Sequence, residues 1–188
     1  MQLELDYDTL VAAAIALGVL AVLVALGFWL RQFLEKLRIK RAIRRLGQDV
    51  ISNVVVSDGV EGNVFVEHVV LTPGCVLVVS VRRYPGAIFA AENMDMWAQV
   101  TDGGSFKFPN PLHEIQSAIL AIKGHLPGVD VKGVILFDRD STFPKGKPAG
   151  VMHVSEIPRK KRGEPPPALP DEIVQAWGRL QALKTAAP

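Results

Sequence analysis

Residues 62–86 read GNVFVEHVVLTPGCVLVVSVRRYPG. Two apolar runs rich in valine flank Thr72-Pro73-Gly74, so the stretch predicts two strands, 62–71 and 75–81, joined by a tight turn. Upstream, ISNVVVS at 51–57 is a third run of the same kind, set off by Asp58-Gly59. Three short strands with short connections predict an antiparallel meander. The odd feature is where it ends. An apolar strand stops on Arg82 and Arg83, before Tyr84-Pro85-Gly86.

Working toward the C-terminus, GAIFAA at 86–91 predicts a further short strand. Residues 92–109 read as irregular, with Asp102-Gly103-Gly104 as a turn. In NPLHEIQSAILAIKGHLPG, Asn110 can cap a helix and Pro111 suits its first turn. Leu112, Ile115, Ile119, Ile122 and Leu126 form one apolar stripe, and Gly124, Pro127 and Gly128 end the helix. VKGVILFD at 131–138 predicts a strand, and VMHVSEI at 151–157 another. RKKRGEPPPALP has linker composition. DEIVQAWGRLQAL predicts a final amphipathic helix with Ile173, Trp177 and Leu180 on one side.

Toward the N-terminus the chemistry changes. Residues 10–30, LVAAAIALGVLAVLVALGFWL, hold 21 residues without a charge. As a helix they rise about 31 Å, the thickness of a bilayer's hydrocarbon core. The leader carries Glu4, Asp6 and Asp8 and no base, and Phe28-Trp29-Leu30 is no cleavage site, so the reading is an uncleaved transmembrane helix. Residues 31–45 hold seven Lys/Arg against Glu35 alone and continue the helix to Gly47. The positive-inside rule then predicts the N-terminus outside and the C-terminal domain in the cytoplasm, at the inner (cytoplasmic) membrane. The basic run is expected to meet anionic lipid. Ala14, Gly18, Ala21 and Ala25 share one face of the span and are the expected contact with a membrane partner or a second copy.

The 188 residues carry a net charge of +2, but the bases are segregated. Residues 46–158 have eight Lys/Arg against twelve Asp/Glu, a net −4. That disfavours nucleic acid as a partner, because nucleic-acid binders carry their basic footprint on the folded module. The lone Cys75 sits in an apolar run and reads as an inert core thiol of a reducing compartment. The expected organisation is therefore 1–9 short extracytoplasmic N-terminus, 10–30 span, 31–46 basic juxtamembrane helix, 47–157 folded domain, 158–170 linker and 171–188 helix.

The order of these features, with residues 66–70, 79–86, Trp97, 108–112 and 134–137, resembles the nuclease-related domain (NERD) family over about residues 47–157. The family is similar to the PD-(D/E)XK nucleases. The resemblance implies an α+β, α/β sandwich-like fold: a restriction-endonuclease-like mixed sheet flanked by helices, here preceded by one transmembrane helix. It also implies a divalent cation, Mg or Mn, held by an Asp on one strand and by Glu-x-Lys on the next, whose two side chains share a face. Glu67 stands at the Asp position, Ser80 at the Glu, Arg82 at the Lys, and Gln48 where an upstream Gly-Glu would place a carboxylate. Gln48 and Ser80 are weak ligands for a hard cation, and Arg82 stays protonated. The resemblance thus implies a catalytically inactive domain, with Arg82 paired to Glu67 where the cation would sit and no cofactor.

The leading expectation is a membrane-anchored binding or accessory subunit of a membrane complex. Two alternatives stand beside it. One is a metal-dependent nuclease with a non-standard site, in which Glu67 and Glu114 hold Mg or Mn and Arg82 clamps phosphate. The other is nucleic-acid binding without cleavage, through RKKR at 159–162 or the juxtamembrane arginines. His68 is expected to face away from Glu67, His113 to diverge from Glu114, and Asp138-Arg139-Asp140 to form a surface ion pair.

Overall fold

A computed structural model describes residues 7–57, 59, 62–159 and 167–186. The chain divides into two compact units, Met1–Lys40 and Arg41–Pro188.

The first unit is helical. Helix α1 runs Tyr7–Leu46, so its last turns belong to the second unit. It contains one stretch, Leu10–Leu46, long and apolar enough to cross a membrane, and the most apolar window of that stretch is wholly unburied. Ala14, Gly18, Ala21 and Ala25 are all exposed. The Trp29 and Phe33 rings stack one helical turn apart, at 5.7 Å, and Arg31 pairs with Glu35 at 3.2 Å.

The second unit carries two sheets. Strands β1 (Asp49–Ser57), β2 (Asn63–Leu71) and β3 (Val76–Arg82) form the antiparallel meander. Parallel strands β7 (Val131–Phe137) and β9 (Val151–His153) complete a five-stranded sheet ordered β1-β2-β3-β7-β9. The second sheet is ordered β6-β5-β4-β8, from β4 (Gly86–Phe89), β5 (Met96–Thr101), β6 (Gly104–Pro109) and β8 (Ser141–Thr142). The β3-to-β7 connection is long because the two strands are parallel, and it holds β4 to β6 and helix α2 (Pro111–His125). Asn110 caps α2 through its side chain, which accepts from the Leu112 amide at 2.9 Å. The helix lays Ile115, Ala118 and Ile122 on the first sheet. Gly47 ends α1 against β2, where a Cβ would overlap the Leu71 carbonyl.

Two expectations are corrected. Residues 92–109 are not irregular: they hold the β5–β6 hairpin, in which Asp102-Gly103 is the loop between Thr101 and Gly104. Only Phe108 of β6 is buried, so the strand lacks the apolar run that marks one in sequence. Trp97 and Phe108 face each other across this hairpin, and with Tyr84, Phe137 and Phe143 they form an aromatic cluster. The second correction concerns 151–157, where the strand stops at His153 and a 3-10 turn, Val154–Glu156, follows. There Glu156 accepts from Lys147 and from the His153 amide, which together hold its carboxyl below the usual range. The C-terminal helix α3 (Asp171–Ala186) buries Ile173, Ala176, Trp177 and Leu180 and packs on β1.

Candidate functional site

Strands β1 and β2 change phase midway. Buried positions step from Ile51 to Val54 and from Val66 to Val69, three residues rather than two. Between them lie Asn53, in the left-handed region at φ 56°, and Glu67. The register places these two residues opposite each other. Asparagine tolerates this backbone better than other residues with a Cβ. The β2–β3 ladder also ends here: its pairs run from Leu71 and Val76 to His68 and Val79, and no further.

Beyond that last pair a side chain takes over. Glu67 Oε2 accepts from the Val81 amide at 2.8 Å and from Ser80 Oγ at 2.9 Å. Ser80 Oγ in turn accepts from Arg82 Nη1 at 2.7 Å, and the same nitrogen donates to the Val81 carbonyl at 3.0 Å. Arg82 Nη1 lies 3.7 Å from Glu67 Oε2. Arg82 Nη2 donates to Glu114 Oε2, in the first turn of α2, at 2.6 Å. Arg82 is thus a guanidinium held between two carboxylates, its side chain 17 % exposed. These groups line an open cavity of about 240 Å³, with Phe65, Ile115 and Ala118 in its wall.

The structure therefore brings Glu67, Ser80, Arg82 and Glu114 together and leaves Gln48 out. Gln48 does not line the cavity; its amide donates to the Pro167 carbonyl. The donor set does not fit a divalent cation. Two carboxylates and a hydroxyl face the cavity, but a fixed positive charge already engages both carboxylates, and a second cation would be repelled by it. Among the described residues no cluster of three or more His, Cys, Asp or Glu side chains could hold a metal.

The remaining candidates lie elsewhere. His68 Nδ1 meets Ser52 Oγ at 2.8 Å, and burial pushes the imidazole below its ordinary pKa against the opposing pull of Glu67. His113 is exposed. Asp138 accepts from the Arg139 backbone amide at 2.7 Å, so the expected Asp-Arg-Asp ion pair is not formed among the described residues. Residues 160–162 of RKKR lie outside the described residues. Sequence reasoning missed two residues here, Asn53 and Phe65. Phe65 is a large apolar side chain 60 % exposed at the cavity's edge, directly opposite the exposed Val55.

Comparison with known proteins adds the lineage. No curated protein and no solved structure matches the chain. The profile of the family described as "Nuclease-related domain" matches residues 29–138, which include every residue of the cavity described above. The chain belongs to the nuclease-related domain (NERD) family.

Proposed function

We propose that this chain is a single-pass membrane protein whose NERD domain has lost catalysis and serves as a binding or accessory subunit of a membrane complex. One observation supports the reading: Arg82 is bonded to Ser80 and Glu114 and lies 3.7 Å from Glu67, so a guanidinium engages the carboxylates that nuclease chemistry would offer to a metal. Neutral Ser80 and the diverted Gln48 support it, since neither supplies a charged ligand. The exposed apolar stretch in α1 supports the anchor. The basic segment after it supports an N-terminus outside, a domain in the cytoplasm at the inner membrane, and contact with anionic lipid. The exposed face of Ala14, Gly18, Ala21 and Ala25 supports close approach of another helix, from a partner or a second copy.

The convergence of Glu67 and Glu114 on one cavity favours the alternative of a non-standard metal-dependent nuclease to this extent: both carboxylates are in place. The guanidinium between them weighs against it. Calorimetric titration of the full chain in detergent with Mg²⁺ and Mn²⁺ separates the readings. The proposal expects no saturable binding; binding lost in Glu67→Ala would overturn it. Purification from native membranes in mild detergent tests the accessory role, and elution always as a lone monomer would refute that role.

A further inference from the structure

Strand β6 ends the second sheet: β5 pairs with one side of it, and among the described residues no strand pairs with the other. Every residue of β6 except Phe108 is exposed. An edge of this kind presents main-chain donors and acceptors to another chain. The hairpin fixes which residues hold them. Thr101 pairs with Gly104 across a two-residue loop, so these two exchange their main-chain bonds with each other. Alternation along the ladder then turns Gly104, Phe106 and Phe108 toward β5, and Ser105 and Lys107 outward. The Asn110 amide, which donates to the Asp95 carbonyl at 2.8 Å, keeps the same alternation at the far end. Pro109 also falls on the outward side, with a carbonyl but no N–H.

Lysine and proline are residues that blunt a sheet edge. Here they stand beside a feature that a guarded edge lacks. Phe106, at the middle of the strand, is 55 % exposed, and Met96 and Val100 are exposed on β5 next to it. For a second copy paired antiparallel across a two-fold axis, Lys107 and Pro109 select a register and do not bar pairing. An axis at Lys107 sets two lysines directly opposite and gives Ser105 a proline without an N–H. An axis at Ser105 carries Lys107 past the strand to Gly103 of the turn. An axis at Phe106 has neither fault. Ser105 of each copy exchanges both main-chain bonds with Lys107 of the other, so the outward groups of both residues are met. The two Phe106 residues become a non-hydrogen-bonded pair, the closer kind, with Cα atoms about 4.5 Å apart and their rings in reach of each other. We propose that two copies of this chain join edge to edge through β6, antiparallel about Phe106, into one continuous sheet. Such pairing is independent of what occupies the Glu67–Arg82–Glu114 cavity.

The test uses the full chain in detergent, with Cys75→Ser removing its single cysteine. Ser105→Cys and Lys107→Cys are made separately in that background and oxidised alone and as a mixture. The register sets these two positions opposite each other in different copies, while each lies out of disulfide reach of its own counterpart. The mixture should give disulfide-linked dimers at least about fivefold in excess of either variant alone. Phe106→Lys, added to both, places like charges opposite each other at the axis and should cut this cross-link about fivefold. Val55→Lys, at an exposed apolar position of the first sheet, should leave it unchanged. Cross-linking in the mixture no greater than in the single variants overturns the pairing, and this is the result that dimers joined by α1 alone would give. Cross-linking that survives Phe106→Lys, or that falls equally in Val55→Lys, overturns it as well.

Discussion

Arg82 Nη2 and Glu114 Oε2 lie 2.6 Å apart and tie the last residue of β3 to the first turn of α2. The contact closes a polar chain that begins at Glu67 and passes through Ser80. A β-strand that leaves its neighbour exposes main-chain donors, which must find other acceptors. Here the Glu67 carboxylate accepts the Val81 amide, and the arginine balances the charge that this brings into the sheet. The first of the two arginines that end an apolar strand, Arg82, is thus turned into the fork between β2 and β3.

Removing the guanidinium should free both carboxylates for a cation. In Arg82→Ala the Glu67 and Glu114 carboxylates lose their shared partner and repel each other. The variant should lose about 1–3 kcal/mol of stability, the scale for breaking charged hydrogen bonds in a half-buried site. Millimolar Mn²⁺ should then raise the variant's melting temperature and leave the parent chain's unchanged. Thermal unfolding with and without Mn²⁺ reads both effects. A variant indifferent to Mn²⁺ would show that the two carboxylates cannot share a cation.

Asn53 makes a second test, because its left-handed backbone at φ 56° sits opposite Glu67 where both strands change phase. Asn53→Gly should stay within a few tenths of a kcal/mol, since glycine adopts this backbone freely. Asn53→Val should cost about 1–2 kcal/mol, because a β-branched residue resists positive φ. Equal melting temperatures for the two variants would mean the phase shift does not depend on residue 53.

Much of this was legible in the sequence, and the failures have physical causes. The meander, α2 with its Asn110 cap, and β7 all carry apolar periodicity, which is the primary signal for buried elements. The β5–β6 hairpin does not: its buried contribution is concentrated in Trp97 and Phe108, and the rest of β6 faces solvent. Strand alternation brought Ser80 and Arg82 to one face, and their contact with each other follows it. Alternation alone would also have extended the β2–β3 ladder past His68, and it gives no warning of the break at Glu67. The diversion of Gln48 to Pro167 depends on a segment more than a hundred residues away, which local pattern cannot reach.

His68 sets a pH dependence. It contacts Ser52, neighbours Glu67, and is held by burial below its ordinary value of 6.5. The folded chain therefore binds fewer protons at this site than the unfolded chain as pH falls through 6.5. Its contribution is fully present above that pH and is lost as pH drops toward the folded value. Unfolding measured between about pH 7.5 and pH 5 should show stability falling in the parent chain, with a shallower fall in His68→Gln. Identical slopes in the two proteins would assign the fall to other groups.

The C-terminal helix carries a polar anchor within an apolar contact. Trp177 is buried, and its Nε1 donates to Asp49 Oδ2 at 2.9 Å, where Gln181 also donates at 3.1 Å. β1 is the edge strand of its sheet, and α3 packs on it. Trp177→Phe keeps most of the apolar contact and removes the donor. It should cost about 1–3 kcal/mol, the range for a hydrogen bond to a charged group. Asp49→Asn should cost less, since an amide oxygen still accepts. Hydrogen exchange should then report faster opening of α3 in Trp177→Phe, while the amides of β3 and β7, at the sheet's centre, keep their protection. Equal loss of protection in α3 and in those central strands would show instead that the helix unfolds only with the whole domain.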